Sequence, residues 1–406
     1  MVRLIFNVIL FLGSLLCVFI APTFRLWIAS IVVSEFSWVF VAVTILLLIW
    51  SLKAKKFRQA NLTLGVLSLS FFLLPIMTAM RIGDKLPVEM ATKLGGRPAE
   101  GEAFRLSRMF FHTPLVPYET FSYAKQDSED LTMDFYHAGR PGRRPCIVVI
   151  HGGSWCGGNS QQLPELNSEL ARQGFQVVSI NYRLAPKYIS PAPVEDIKIA
   201  IGYLKQHAYE LKIDTNNFIL LGRSAGAQLA MVAAYTLDIP GIRGVVNFYG
   251  PTDMIWGYSL PVNSYIMDSK KVLEDFLGGP YSKVPQNYLS SSPVEVVNRK
   301  SVPTLIIHGE NDALVDFEHS RRLVKKLSDN NVPHYLLSLP WATHGCDYTL
   351  TGPSGQLTTY AVGYFAKHVI IPAPEPDIHI TSSDPGFIRT VSSTSVAPVA
   401  FGSSGN

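Results

Sequence analysis

Long uninterrupted apolar runs fill the first eighty positions of the chain, whereas later apolar runs are short and separated by polar, helix-forming stretches. The early runs cover residues 4–21, 26–50 and 62–80. A helix needs about 20 apolar residues to cross a bilayer. The pattern therefore predicts a transmembrane segment over residues 1–80 with about three helices, at 4–21, 31–50 and 62–80. A cleaved signal peptide is the alternative for the first run, but two further runs argue against plain secretion.

Charged residues in and between these runs predict how the segment crosses the membrane. Glu35 is the one charge in the second run, and we interpret it as the end of a span, because a carboxylate at mid-bilayer would cost about 2.5–3.5 kcal/mol. Loops rich in Lys and Arg stay on the cytoplasmic side, so three spans place everything after Met80 in a periplasmic, extracellular or lumenal space. The basic loop between the second and third runs contains Lys53, Lys55, Lys56 and Arg58.

The remaining chain divides into three parts. Residues 81–117 show no clear period and are predicted to be a linker with room for one helix. Residues 118–370 begin with two antiparallel strands, at 121–124 and 131–136, after which strands alternate with helices. This alternation predicts an α/β domain with a mostly parallel central sheet and helices on both faces. Residues 371–406 are rich in Pro, Ser and Thr and are predicted to be a disordered tail. The later strands are predicted at 146–150, 175–180, 218–221, 244–249, 304–308 and 335–339.

Composition narrows the expected partners. The chain has 406 residues, 48% of them hydrophobic, and a net charge of +4. Since no basic stripe with interleaved aromatic residues occurs after residue 80, nucleic acid is not an expected partner. The four cysteines are too few for a disulfide scaffold and lack the spacing of zinc ligands. We expect neither a metal nor an organic cofactor.

A Gly-Arg-Ser-Ala-Gly sequence at residues 222–226 lies between a predicted strand and a predicted helix. A tight strand-to-helix turn crowds the backbone, and this explains the glycines on either side of Ser224. Such a turn holds the hydroxyl clear of the sheet, at the positive end of a helix. Ser224 is therefore the candidate nucleophile. A plain glycine-rich turn is the alternative, which the flanking strand and helix disfavour.

Two later strands are each followed by a residue that could activate this serine. Asp312 follows the strand at 304–308, and His344 follows the strand at 335–339. A serine hydroxyl needs a base to take its proton, and the base needs a carboxylate to orient it. The carboxyl ends of parallel strands meet at one edge of a sheet, so Ser224, His344 and Asp312 are predicted to form a catalytic triad. Glu310 and Asp316 are the alternative carboxylates.

A glycine-rich loop after the strand at 146–150 is the candidate oxyanion hole. Its sequence is His151-Gly152-Gly153-Ser154. Acyl transfer develops negative charge on the carbonyl oxygen, and backbone N–H groups that approach closely stabilise that charge. We assign the N–H groups of Gly152 and Gly153 to this role, together with that of Ala225, and Ser154 is a further candidate.

With these motifs, residues 118–370 resemble the α/β-hydrolase fold family, and within it the hormone-sensitive-lipase-like and related carboxylesterases. The resemblance also rests on the sequence Asn-Tyr-Arg-Leu-Ala-Pro at residues 181–186. Isoprenylcysteine methylesterases are similar proteins that combine such a domain with membrane spans. The chain departs from the family at Ser154, where a third glycine is usual, at Arg223, where an acid is common, and at Asn181, where Asp is common.

The resemblance implies a membrane-anchored serine hydrolase of carboxylic esters that works through an acyl-enzyme intermediate. A small-molecule or lipid ester is the expected substrate, and membrane lipids are the expected surroundings. A serine peptidase of the same fold and a catalytically inactive scaffold or adhesion protein are the alternatives. In this fold the loops that contain Cys156 and Cys346 converge, so we hypothesise a disulfide between them. Arg183 is expected to pair with Glu195 or Asp196.

Overall fold

An eight-stranded sheet organises residues 119–339 in a computed structural model, which describes residues 1–98, 101–111 and 114–371. The spatial order is β1-β2-β4-β3-β5-β6-β7-β8. β2 pairs antiparallel with β1 and with β4, and every other pairing is parallel. The strands are β1 (Glu119–Gln126), β2 (Glu129–Tyr136), β3 (Arg144–Ile150), β4 (Gln176–Ile180), β5 (Ile213–Arg223), β6 (Ile242–Phe248), β7 (Thr304–Gly309) and β8 (His334–Leu339).

The helices that follow β3 cover both faces of this sheet. They are α5 (Pro164–Arg172), α6 (Ala192–Gln206), α7 (Ala225–Thr236), α8 (Met254–Ser259), α9 (Ser269–Leu277), α10 (Pro285–Ser290), α11 (Pro293–Val296), α12 (Glu318–Asp329) and α13 (Pro353–Val369).

Each central strand is apolar on both sides, as expected for a sheet buried between two helical layers. Along β3, Val148 belongs to the apolar cluster that contains residues of α6, α7 and α12, whereas Val149 belongs to the cluster that contains residues of α5 and α13. The predicted α/β class is confirmed, because the antiparallel opening pair and the parallel strands lie where the sequence pattern places them.

Four α-helices precede the sheet among the described residues. They are α1 (Val2–Ser14), α2 (Phe24–Glu35), α3 (Ser37–Leu52) and α4 (Arg58–Leu94). The apolar run at 26–50, expected to contain one span, forms two helices bent by 81° at Phe36. The side chain of Glu35, next to the break, accepts a hydrogen bond of 3.1 Å from the N–H of Ser354 in the first turn of α13. This contact holds the end of α2 on the α/β domain.

The longest helix, α4, has 37 residues and is therefore about 55 Å long. It has no charge between Arg58 and Arg81, so its first part is apolar enough to cross a bilayer. Its second part continues into the predicted linker at 81–117, where Gly83, Leu86 and Met90 are buried against the α/β domain. The predicted linker left room for one helix, and these residues recur at helical spacing over its first third.

The helices show how far the membrane expectation is supported. Among the described residues, α4 is long and apolar enough to cross a membrane, and α2 with α3 would count as a second span if the bent pair is taken as one. The helix α1 is shorter, and with the 3-10 turn after it covers Val2–Cys17. The number of transmembrane helices, three, and the side of the membrane on which the α/β domain lies remain predictions from the sequence. The predicted tail lies outside the described residues from position 372 onward.

Candidate active site

Ser224 occupies a strained turn between β5 and α7. Its φ angle is +51°, a region that side chains other than glycine rarely adopt. A Cβ on Gly222 would collide with the carbonyl oxygen of Gly226, and a Cβ on Gly226 would collide with that of Ile150. Both glycines are therefore required by the backbone. The turn lifts the hydroxyl to the carboxyl edge of the sheet, where the ends of β7 and β8 also lie.

The structure brings the three predicted triad residues together. Ser224 Oγ lies 2.9 Å from His344 Nε2, and His344 Nδ1 lies 2.7 Å from Asp312 Oδ2. Asp312 and His344 are both buried, at 5% exposure each. The three residues are 120 and 32 positions apart in sequence, and the parallel strands align them. In this geometry the imidazole can take the proton from the hydroxyl while the carboxylate orients it.

A second histidine, which the sequence analysis did not identify, also faces Asp312. His308 Nε2 lies 3.1 Å from Asp312 Oδ2, and its Nδ1 lies 2.6 Å from Ser320 Oγ. The backbone N–H groups of Leu314 and Val315 donate to the other carboxylate oxygen at 2.8 and 2.9 Å. Burial alone would raise the pKa of Asp312, but the two histidines and these donors hold it well below its usual value. Asp312 is therefore a carboxylate throughout the neutral range.

The two alternative carboxylates have other partners. Glu310 accepts a hydrogen bond from Ser338 Oγ at 2.5 Å and is exposed. Asp316 accepts the N–H of Glu318 at 2.8 Å, where it caps the turn before α12. Asp312 is thus the carboxylate that contacts His344.

The loop after β3 approaches the nucleophile with an unusual backbone. Gly153, Ser154 and Trp155 all have positive φ angles, of 122°, 52° and 61°. A run of such residues turns successive N–H groups toward one concave side. No hydrogen-bond partner for the N–H of Gly153 or of Ala225 occurs among the residues that the structure describes. Gly152 differs, because its N–H donates to the side chain of Gln162 at 2.8 Å. Gln162 gave no signal in the sequence.

The departure at Arg223 has a counterpart in the loop that follows His344. Arg223 is 1% exposed, and its Nε donates to Asp347 Oδ2 at 2.5 Å. Tyr249, whose ring lies 4.4 Å from that of His344, donates to the other oxygen of Asp347 at 2.5 Å. Where an acid is common beside the nucleophile, this chain has the basic Arg223, and its acidic partner Asp347 comes from the loop after His344. This network connects the nucleophile turn to the loop that contains His344.

Two further expectations have different outcomes. The pairing of Arg183 is confirmed: its Nη2 lies 2.8 Å from Asp196 and 3.6 Å from Glu195. The hypothesised disulfide is wrong for this structure, because Cys156 and Cys346 are both free thiols. Cys156 is exposed, whereas Cys346 is buried beside Asp347 and Glu35, and burial raises the pKa of its thiol.

The helix α2 contacts the active-site histidine loop directly. Trp27 Nε1 donates to the backbone carbonyl of His344 at 2.9 Å, and Ile31 packs against Gly345. Glu35, at the other end of α2, is fixed to α13. The N-terminal segment therefore helps to position His344. Sequence reasoning had no signal for this contact, since 317 positions separate the two residues.

We predict that Trp27→Phe, which keeps an aromatic side chain but removes the indole N–H, lowers kcat for ester hydrolysis by about 3- to 10-fold, the value of one hydrogen bond. The loss arises because the carbonyl of His344 is no longer held. Steady-state kinetics in detergent measure it, and Trp50→Phe, near the far end of α3, is the matched control. Equal kcat values for Trp27→Phe and the parent protein would contradict the positioning role.

A cavity of about 340 Å³ lies beside Ser224. Its walls are mainly apolar side chains of the loop after β3, of α8 and α9, and of the segment between α1 and α2. His319 also lines it, and burial lowers the pKa of that imidazole to about 3, so the ring is neutral. The residues from the N-terminal segment are Ile20, Ala21 and Pro22.

Comparison of the coordinates with solved structures identifies the fold. The chain superimposes on a truncated carbohydrate esterase from gut microbiota with a TM-score of 0.53 and 22% identity, covering 63% of this chain and 97% of that one. Esterase 2 of Thermogutta terrifontis, phosphonylated by sarin, gives 0.53 and 22%, with 63% and 96% covered. The chain has the α/β-hydrolase fold. The expected resemblance is confirmed at the level of this fold.

Sequence comparisons add relatives among esterases. The BD-FAE family model matches residues 133–327 of this α/β-hydrolase. The probable carboxylic ester hydrolase LipM of Mycobacterium tuberculosis is 30% identical over 243 residues, which are 56% of this chain and 55% of LipM. Esterase LipC of the same organism is 30% identical over 244 residues, 55% of this chain and 58% of LipC. The chain thus spans somewhat over half the length of these curated relatives.

Proposed function

We propose that this α/β-hydrolase is a membrane-anchored carboxylic ester hydrolase. The observation that carries the proposal is the hydrogen-bonded line from Ser224 through His344 to Asp312. The likeness to LipM and LipC, whose names describe ester hydrolysis, supports the same reaction type. A hydrogen-bonded triad of this kind can catalyse any acyl transfer. The mainly apolar cavity beside Ser224 favours an apolar acyl group.

The reaction follows from the roles that the geometry gives each group. His344 Nε2 takes the proton from Ser224 as the oxygen attacks the ester carbonyl carbon. The protonated imidazole then gives that proton to the departing alcohol, which leaves an acyl group on Ser224. Water, activated by His344, attacks the acyl carbon and restores the free serine. Asp312 fixes the imidazole tautomer and stabilises its positive charge in both steps.

The N–H groups of Gly153 and Ala225 form the oxyanion hole in this proposal. Neither N–H has a hydrogen-bond partner in the described part of the chain, and the same holds for Ser154, the further candidate. The N–H of Gly152, assigned to the same role from the sequence, already donates to Gln162. Gly152 contributes by its small size instead, because a Cβ there would lie 3.0 Å from the carbonyl oxygen of Arg223. One donor of this kind stabilises the transition state by about 2.7–4 kcal/mol.

The size of the cavity indicates the acyl chain length. At roughly 30 Å³ for each non-hydrogen atom, the volume of a water molecule in the liquid, a space of this size holds roughly eleven atoms. We expect kcat/KM to rise from acetyl to roughly ten-carbon p-nitrophenyl esters, measured on the detergent-solubilised full chain. Failure of the protein to hydrolyse any ester of this series would count against the proposed activity.

Two alternatives remain testable beside ester hydrolysis. A serine peptidase would cleave peptide amides through the same groups, so p-nitroanilide peptides belong in the assay. A catalytically inactive scaffold would turn over neither class. All three residues of the hydrogen-bonded triad, Ser224, His344 and Asp312, are present, and this favours a working enzyme.

We propose further that three N-terminal helices cross the membrane and that the catalytic domain lies on its extracytoplasmic side. The N-terminus and the basic loop lie at one end of the helix bundle, since the guanidinium of Arg3 lies 4.7 Å from the ring centroid of Trp50 and Asn7 donates to Asn61 at 3.1 Å. Labelling of the exposed Cys156 by a membrane-impermeant maleimide in intact cells tests this orientation. Cys156→Ser is the control, and labelling only after lysis would reverse the orientation.

A further inference from the structure

The helix α2 exposes apolar side chains and buries several polar ones. Its buried face, which packs on other parts of the protein, contains Ser30, Ser34 and Glu35 beside the apolar Ile31 and Val33. Its outer face carries Phe24, Ile28 and Val32, at one-turn spacing and 50%, 44% and 42% exposed. A helix surrounded by water shows the opposite arrangement, with polar residues outward. The outer face of α2 therefore suits an apolar surrounding.

The orientation of α2 indicates what that surrounding is. α2 lies at 81° to α3, and if α3 crosses a bilayer, α2 lies nearly parallel to its surface. The neighbouring helices α1 and α3 also expose apolar side chains, among them Ile9, Leu46 and Ile49. Arg25, exposed in the first turn of α2, is placed to meet anionic head groups.

The mouth of the cavity lies next to the first turn of α2. Ile20, Ala21 and Pro22 line the cavity and lead directly into this helix. The loop 260–268 closes the other side, and it is joined to the N-terminal segment by the N–H of Phe24, which donates to the carbonyl of Tyr265 at 2.9 Å. These two segments carry five exposed apolar side chains, of which Ile20 lines the cavity, and we term the five the rim: Phe19, Ile20, Phe24, Val262 and Tyr265.

We propose that α2 lies in the membrane interface and that the cavity opens through the rim into the lipid, so that the substrate is a membrane-resident amphiphilic ester that enters laterally from the bilayer. This inference rests on the proposed ester hydrolysis for the chemistry, but the position of α2 is independent of it. Part of the acyl chain lies in the cavity beside Ser224 while the rest of the molecule stays in the lipid. An apolar rim would be unfavourable in water and is stabilised by acyl chains.

The position of α2 is tested by a nitroxide label on Ile28→Cys, in the full chain reconstituted in vesicles of phosphatidylcholine with a minor fraction of phosphatidylglycerol. Cys156→Ser removes the exposed natural thiol, and Lys325→Cys, on the surface of α12, is the matched control. We expect the label at position 28 to collide more often with oxygen than with a water-soluble nickel chelate, and the control to show the reverse. Preferential collision with nickel, or protection from both reagents by a second copy of the chain, would overturn the proposal.

The route of the substrate is tested by Ile28→Asp, which places a charge on the outer face of α2 without touching the cavity. Hydrolysis of umbelliferyl laurate held in vesicles is expected to fall roughly tenfold, because a carboxylate weakens insertion of the interfacial face. Hydrolysis of the water-soluble p-nitrophenyl acetate is expected to remain within about twofold. Tyr209→Asp, at an exposed site after α6, is the control and should change neither rate.

The outcomes separate this inference from the proposed activity. Two results would overturn lateral entry. One is unchanged laurate hydrolysis in Ile28→Asp. The other is an equal loss of hydrolysis of both esters in that variant, together with a nitroxide at position 28 that collides mainly with the nickel chelate. A parent protein that hydrolyses neither ester would refute the proposed activity, whereas the nitroxide result would still decide where α2 lies.

Discussion

Ser224→Ala is expected to lower kcat for p-nitrophenyl esters by about 10⁵- to 10⁶-fold, to the residual rate that binding and the oxyanion hole alone support. The physical reason is that no other hydroxyl occupies the strained turn at the end of β5, 2.9 Å from His344 Nε2. The variant removes one oxygen atom from a site whose backbone is already fixed by Gly222 and Gly226. The fold should therefore be retained, and circular dichroism of the purified protein checks this.

The matched control for this variant is Ser259→Ala, an exposed serine at the end of α8. It should leave kcat unchanged. Ester turnover by Ser224→Ala at more than one hundredth of the parent rate, in protein free of contaminating esterase, would mean that another group is the nucleophile.

Asp312→Asn should lower kcat by about 10⁴-fold, because the neutral amide no longer fixes the imidazole tautomer or stabilises its charge. The geometry would change little, since the two side chains are nearly the same size. The pKa of Asp312 lies below its ordinary value, so the parent carboxylate is charged above about pH 4. No change of activity between pH 5 and pH 9 should therefore reflect protonation of Asp312, as pH–rate profiles can determine.

Glu310→Gln is the control for the carboxylate, because Glu310 precedes Asp312 by two residues but contacts Ser338 instead of His344. It should retain the parent kcat within about twofold, as expected for an exposed side chain. A loss in Glu310→Gln comparable with that in Asp312→Asn would show that the loop after β7 acts as a structural unit, and that Asp312 has no special part.

The sequence was sufficient to predict the features that local chemistry determines. Glycines on both sides of Ser224, between a strand and a helix, already specify the turn, and the clash of either Cβ with a backbone carbonyl shows why. The positions of the strands along the chain followed from apolar runs that are short and separated by helices. Asp312 and His344 could be named because parallel strands end at the same edge of a sheet.

Long-range contacts could not be predicted in the same way. His308 is the last residue of the strand predicted at 304–308, and only the structure shows its second role as a donor to Asp312. The residues 26–50 look like one apolar span because hydropathy averages over Glu35, whereas that carboxylate is bound by Ser354 across 319 positions. The contact of Trp27 with His344 likewise depends on how two distant segments pack.

The central claim is that Ser224 is the nucleophile of a working ester hydrolase, and covalent labelling of the full chain tests it most directly. A fluorophosphonate probe should add one phosphonyl group to the parent protein, and mass spectrometry of the digested product should place it on Ser224. His344→Gln should suppress the reaction, because the hydroxyl loses the base that takes its proton. An adduct on any other residue, or an unmodified Ser224 in folded parent protein, would contradict the account.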